Sequence, residues 1–501
     1  MTTPAAVTHD PLTRIRAVLA AAPDADTLQP IGLREVVTGA GAATTVGNLL
    51  RRLGVPAGTV VVLSDATPKA ARPAAPTRPG GSPQIEDAED ADDAEDADDA
   101  VDVVTATLTG DHTPRRVVLH PSTGQATVHA DEDTVGWAVD AVRAVAPSGL
   151  VTVGSGTMAD IGKVVADRLD LVHVVVQTAA SVNGFTDNQS VLLINGAKRT
   201  TPSRWPTGLI IDCRIVAAAP PAMTRSGLGD QLSMFTAAAD WYLAGAVGFD
   251  PSYSPTLVRF MREGFADLAA AAEDLGRGEP DAVILLADAL ARGGLAMGAA
   301  GRTSPSSGAE HTISHLLEMH ADAHGRPSAM HGEQVGVASV VAAAVWRRVR
   351  AHLSGGGVTV GTLDEQAMHE RVRSAFGPLD AAGAIAQECW TAYRRKLTWM
   401  TTHRDQIQQV CDTWARHDLA VTELLAEPRV LADTLHRAGA ANRFADLGLA
   451  PDPATVSWAI ANNHLMRDRF TVVDLAELIG LWTPDDVQAV LDQTQETPPW
   501  R

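Results

Sequence analysis

The rhythm of apolar and polar positions changes near residue 212. Before that point short apolar runs alternate with amphipathic stretches; after it, apolar residues recur at helical spacing through long alanine- and leucine-rich segments. Thr45–Leu53 reads as a helix, and Thr59–Leu63 (TVVVL) as a short buried strand stopping at Ser64-Asp65. Arg116–Leu119 follows as a strand and Glu132–Val145 as a helix. Leu150–Val153, Met158–Leu169 and Leu171–Val176 then form a strand–helix–strand unit. Such alternation predicts a parallel sheet with helices on its faces. Beyond it, helices are predicted over 228–244, 255–273, 280–297, 307–320 and 332–352, with a loop at Gly355–Gly357 and a last helical set over 379–501. The expected fold is an α/β domain at 1–212 followed by an all-helical domain at 213–501.

One stretch breaks this order. Residues 66–100 open with Pro73, Pro76, Pro79, Gly80 and Gly81 and continue as EDAEDADDAEDADD. Like charges at that density repel one another and resist packing, so a disordered insertion in a surface loop is expected.

Composition narrows the function. At 501 residues, with 45% apolar side chains, the chain has material for two or more cores. The net charge is −20, of which residues 86–99 supply ten carboxylates. Such a balance argues against a nucleic-acid partner, whose phosphates need clustered Lys and Arg. Cys213, Cys389 and Cys411 are widely spaced, so neither a disulfide framework nor a cysteine zinc site is expected. The run Ala17–Ala22 is flanked by Asp10, Arg14 and Asp24, and reads as an amphipathic helix rather than a signal peptide. No uninterrupted apolar run is long enough to span a bilayer. The expectation is a cytoplasmic protein with no membrane partner, compatible with a homo-oligomer.

Two segments carry candidate chemistry. Val151–Asp160 (VTVGSGTMAD) is a strand entering a glycine-rich turn and then a helix. Gly154 and Gly156 would let a ligand approach the backbone, and the amides around Ser155 and Thr157 would face a pyrophosphate, with Asp160 nearby. The fingerprint also wants an acid at a strand end for the adenosine ribose. The next strand ends at Gln177, but the earlier one ends at Asp65, which would favour NAD over NADP.

The second segment holds five histidines: His311, His315, His320, His324 and His331. Ser307-Gly-Ala-Glu310 matches a capping box, so a helix should start near Ser307 with His311 and His315 on one face. His320 and His324 read as surface. His331 precedes Gly332, where a missing side chain would let a metal or ligand approach. Two imidazoles suit zinc and its neighbours but need a third ligand, most often a carboxylate, which spacing does not identify.

These segments carry a resemblance. SGLGDQLSMFTAAADWYLA (226–244), SSGAEHTISHLLEMH (306–320) and AMHGEQVGVA (329–338) resemble the metal-site segments of the sn-glycerol-1-phosphate dehydrogenase family. That family lies within the iron-containing alcohol dehydrogenase and dehydroquinate synthase superfamily. VGSGTMADIGK (153–163), QTAASVNGFTD (177–187) and MRDRFTVVDLAELIG (466–480) match in the same order. The resemblance implies Asp230, His311 and His331 as ligands of one divalent metal, zinc before nickel or iron. It implies His315 and Lys198 beside the reacting centre, Thr178 and Ser181 on the cofactor side, and a small (phospho)polyol substrate. Arg302 and Ser304 would help receive a phosphate. The first domain then binds NAD or NADP, and the second the metal and substrate.

The chain departs from the family pattern at Gln177, where a proline is usual, and at Asn183, where an aspartate faces the substrate. Asparagine keeps the size and loses the charge. The implied reaction is reduction of dihydroxyacetone phosphate to sn-glycerol 1-phosphate. Two alternatives stand beside it: a dehydroquinate synthase-like cyclase, which uses NAD transiently, and a catalytically weakened metal- or nucleotide-binding scaffold.

Overall fold

The computed structural model describes residues 11–70, 99–122 and 127–495. Most of the acidic stretch therefore lies outside the described residues. Its flanks do not: Ala70 and Asp99 meet in an antiparallel bridge, and the next helix begins at Ala100.

Among the described residues eight strands form: β1 (Glu35–Gly39), β2 (Gly58–Asp65), β3 (His112–Leu119), β4 (Gly149–Gly154), β5 (His173–Gln177), β6 (Gln189–Ile194), β7 (Ala197–Pro202) and β8 (Gly208–Asp212). Six of them build one parallel sheet in the order β1-β8-β5-β4-β2-β3. β4, β5 and β8 are buried at every residue, as strands covered on both faces must be. Side-chain alternation sorts the two cores. Val60, Val62, Val151, Val153, Val174 and Val176 pack on one face, while Val61, Leu63 and Leu150 pack on the other against Val135, Val139, Ile161 and Val165. The chain moves outward from β2 to β3, then to the opposite side from β4 to β5. A reversal of this kind leaves a crevice at the carboxyl ends of the strands.

β6 and β7 form a separate antiparallel hairpin that the apolar pattern did not predict. Its turn is Asn195-Gly196, both with positive φ (50° and 75°), a backbone that this dipeptide adopts readily.

From Cys213 onward the chain is helical. Two predicted long helices are broken. The 228–244 run divides at a 3-10 turn, Ser233–Phe235, where the Ser233 hydroxyl bonds the carbonyl of Asp230 and competes with the helical ladder. The 255–273 run divides at Gly264, whose φ of 73° is left-handed. The N-terminal helix α1 (Pro11–Ala21) packs into the helical part rather than the sheet: Leu12 and Ile15 share a core with Leu286 and Leu290. Among the described residues one helix, Pro280–Ala300, is apolar and long enough to cross a membrane, but 89% of that window is buried inside the protein.

Candidate metal centre and nucleotide turn

Four helices build the site: α2 (Gly156–Leu169), α3 (Pro221–Leu232), α4 (Ala309–Ala323) and α5 (His331–Ser354). α3 and α5 touch backbone to backbone through glycines. A methyl group added at Gly229 would lie 2.1 Å from the carbonyl oxygen of Gly332, and one at Gly332 would lie 2.0 Å from that of Ser226. Gly332 thus makes room for a neighbouring helix, not for a ligand, which corrects the sequence reading. The same contact sets Asp230 of α3 beside His331, the first residue of α5.

α4 brings in the other imidazoles. It starts one residue late for a Ser307 cap: Gly308 is the N-cap and no side chain caps it. Arg469 donates to both the hydroxyl and the carbonyl of Ser307. Glu310 serves His311 as well, its Oε1 lying 3.0 Å from His311 Nδ1. His311, His315 and Glu318 then repeat along one face of the helix.

The three expected ligands converge. His311 Nε2 is 3.2 Å and His331 Nε2 4.0 Å from Asp230 Oδ1, and the three ligand atoms lie within 4.8 Å of one another. Both Nδ1 atoms face carboxylates: His311 toward Glu310 and His331 toward Glu318 at 3.1 Å. A carboxylate on Nδ1 fixes the tautomer and aims the Nε2 lone pair at a metal. The remaining oxygen of Asp230, Oδ2, accepts the backbone N–H of Asn183 at 2.9 Å. The chemistry of this donor set, one carboxylate and two oriented imidazoles, fits a divalent zinc-like ion with an open position.

Charge around the centre is strongly perturbed. Burial opposes a charge on His311, but hydrogen bonds to Asp230 and Glu310 outweigh it and raise the imidazole to about 9. Burial likewise opposes ionised Glu318, yet Lys198 and His331 hold it down at about 2. Lys198 forms a close ion pair with Glu318, so it reaches the centre through that carboxylate. His315 is held well below its ordinary value by burial, then by Arg467 and His331. Its ring stacks on His331 at 5.2 Å, and Arg467 Nη2 donates to its Nδ1 at 2.8 Å, leaving the ring proton on Nε2. His320 and His324 sit together away from this cluster, as expected of surface residues.

One loop links this centre to the glycine-rich turn. After β5, Thr178 donates its N–H to the carbonyl of Gly154, Ser181 accepts from Ser226 Oγ, and Asn183 bonds Asp230. Ser155 is the N-cap of α2 and forms no side-chain cap bond, so the amides of the first turn, at Gly156 and Thr157, have no such partner. The glycines serve packing rather than open space. A methyl at Gly154 would strike the Met158 side chain at 2.5 Å, and one at Gly156 would strike that of Val182 at 2.6 Å.

Other expected residues lie apart. Asp160 turns away from the turn and bonds Lys163 and the N–H of Val191. Asp65 lies level with Gly154 at the strand ends, but its carboxylate pairs with Lys69 at 2.9 Å. Ser304 and Arg302 both face Asp250, at 3.1 and 3.7 Å, instead of presenting a free phosphate site. Glu310, Glu318 and Arg467 were missed as site residues. The helical spacing from His311 to Glu318 was the available signal for one of them.

Comparison with known proteins bears on this geometry. Residues 95–220 match the family described as iron-containing alcohol dehydrogenase. A glycerol-1-phosphate dehydrogenase [NAD(P)+] of Haloquadratum walsbyi is 33% identical over 50% of this chain and 74% of its own length. The chain belongs to this family. It is therefore an oxidoreductase of the iron-containing alcohol dehydrogenase type. The Bacillus subtilis glycerol-1-phosphate dehydrogenase [NAD(P)+] is 29% identical over 64% of this chain and 68% of its own. The fold also matches a probable glycerol dehydrogenase from Sinorhizobium meliloti, with a TM-score of 0.55 and 15% identity over 93% of this chain and 99% of that one.

Proposed function

We propose that this family member reduces dihydroxyacetone phosphate, or a closely related small (phospho)polyol ketone, reversibly to the corresponding alcohol in the cytoplasm, with sn-glycerol 1-phosphate as the leading product. It is a metal-dependent, NAD(P)-linked dehydrogenase. The observation carrying the proposal is the convergence of Asp230, His311 and His331, joined by one loop to the turn at Gly154–Thr157.

The ligand residues would hold a divalent ion, which supplies Lewis acidity at the ketone oxygen, while a reduced nicotinamide supplies hydride. The protein's own residues do the rest. Glu310 and Glu318 orient the two ligand imidazoles, and Lys198 keeps Glu318 ionised. The first amides of α2, after Ser155, offer partial positive charge to a pyrophosphate. Thr178 and Ser181, on the linking loop, would line the nicotinamide side. His315, neutral and with its proton on Nε2, offers a hydrogen-bond donor to a substrate oxygen. Asn183 anchors Asp230 through its backbone, a role its side chain does not enter, so exchange of the family aspartate leaves the metal ligand supported.

The test is to load the full chain with zinc, nickel or ferrous iron, supply dihydroxyacetone phosphate, and follow oxidation of NADH and NADPH. Turnover with at least one metal is expected. Absence of turnover with all three contradicts the proposal.

A further inference from the structure

Arg467 is the most unusual cation in the molecule. It lies after the 3-10 turn Asn463–Met466 and is 7% exposed. Its Nη2 donates to His315 Nδ1 and to the carbonyl of Lys198, at 2.8 and 3.4 Å. Among the described residues no carboxylate lies within ion-pair distance of it, and its Nε and Nη1 have no protein acceptor. The neighbouring charges increase the need for an anion. Lys198 is paired with Glu318, Arg199 with Glu388, and Asp468 with Arg395, so nearby ionised groups are already matched. Arg469 is occupied by Ser307 and Thr303. Burial, then Arg469 and Arg199, disfavours the guanidinium's charge, yet a guanidinium does not release its proton in proteins. A guanidinium this deeply set and without a carboxylate partner favours an anion that reaches its unbonded nitrogens.

We infer that Arg467 is the residue that receives the substrate's phosphate and so selects phosphorylated ketones over neutral ones. The inference rests on the proposed reaction for its substrate but not for its chemistry. A guanidinium presents a planar pair of donors to a phosphate, and two of its nitrogens are free here. The residue sits one hydrogen bond from His315, whose ring stacks on the metal ligand His331, so an anion on Arg467 lies within a small molecule's length of the metal centre. Arg302 and Ser304, the candidates from sequence, are turned to Asp250 instead.

The test uses the zinc-loaded full chain, wild type and Arg467→Gln, in two assays. Calorimetric titration with inorganic phosphate is expected to show binding to wild type that weakens about 10- to 100-fold in the variant, the range expected when one charge-assisted hydrogen bond is removed. In turnover, kcat/KM for dihydroxyacetone phosphate should fall by a factor about 10-fold or more beyond any fall for unphosphorylated dihydroxyacetone, which loses only what the bond to His315 contributes. Equal loss for both ketones would assign Arg467 only to positioning His315, and unchanged phosphate binding would overturn the inference outright. Should wild type turn over neither ketone, the proposed reaction fails, and the phosphate titration still decides the role of Arg467.

Discussion

At the residue scale, the site is a set of imidazoles whose protonation is controlled by carboxylates. A proton and a divalent cation compete for His311 Nε2. Because the imidazole is raised to about 9, metal binding must displace a proton at neutral pH, and affinity should climb as pH rises toward that value. Zinc titrations between pH 6 and 9 check this; affinity independent of pH would contradict it. Glu318→Gln should weaken metal binding about 10–100-fold, since it removes the acceptor that orients His331. A second residue reports on stability. His173, buried at the start of β5 against Gly162 of α2 and with Thr152 at 2.9 Å, is pushed down to about 3 by burial, then by Lys163 and Arg204. Its folded value lies below its unfolded one, so the unfolded chain alone takes up a proton as pH falls below 6.5. Stability is then lost by up to about 1.4 kcal/mol per pH unit until pH 3. His173→Gln should flatten that decline, measured as Tm against pH. Sequence spacing made His311 and His331 plausible ligands, and the family resemblance set them apart from their three neighbours and added Asp230. Glu310 was read only as a helix cap, and Arg467 lies too far along the chain for local pattern to connect it to His315.

At the element scale, glycine contacts between α3 and α5 hold the ligands in place. Gly332→Ala should cost about 1–3 kcal/mol, because the new methyl meets a backbone carbonyl that has nowhere to move. It should also lower metal occupancy. Gly136→Ala, in the helix Glu132–Ala144 with nothing within 4 Å, should instead stabilise by about 0.4–1 kcal/mol. Denaturant unfolding of both variants separates a packing role from a general preference for alanine in helices. In the sheet region β2, β3, β4 and β5 and three of the helices were legible from apolar rhythm to within a few residues, whereas β1, β8 and the helix Ala100–Thr107 were not picked out. Breaks at Ser233 and Gly264 were not, since the run of apolar positions continues through them and only a hydroxyl or one left-handed residue ends the helix. The Asn195-Gly196 hairpin signal is present in the chain, but its strands, QSVLLI and AKRTTP, alternate too weakly to announce themselves.

At the scale of the whole molecule, the last strand of the sheet ends at Asp212 and the helices begin at Cys213. α1 lies before that boundary in the chain but packs with helices beyond it, through Leu12 and Ile15. A helix of eleven residues with a few apolar positions fits either partner, and nothing local decides between them. The described residues on either side of 71–98 already meet at Ala70 and Asp99, with Lys69 N–H donating to Asp99 at 2.8 Å. Replacing residues 71–98 by a short Gly/Ser turn should therefore leave Tm within a few degrees of wild type, as thermal unfolding would show. The account as a whole depends on one centre, Asp230, His311 and His331, serving ketone reduction. The most direct measurement is the rate of NADH or NADPH oxidation with dihydroxyacetone phosphate as chelator-treated protein is titrated with zinc. The prediction is no activity at the start, a rise that saturates at one metal per chain, and no recovery in Asp230→Ala. Full activity in the chelated protein, or equal recovery in that variant, would contradict it.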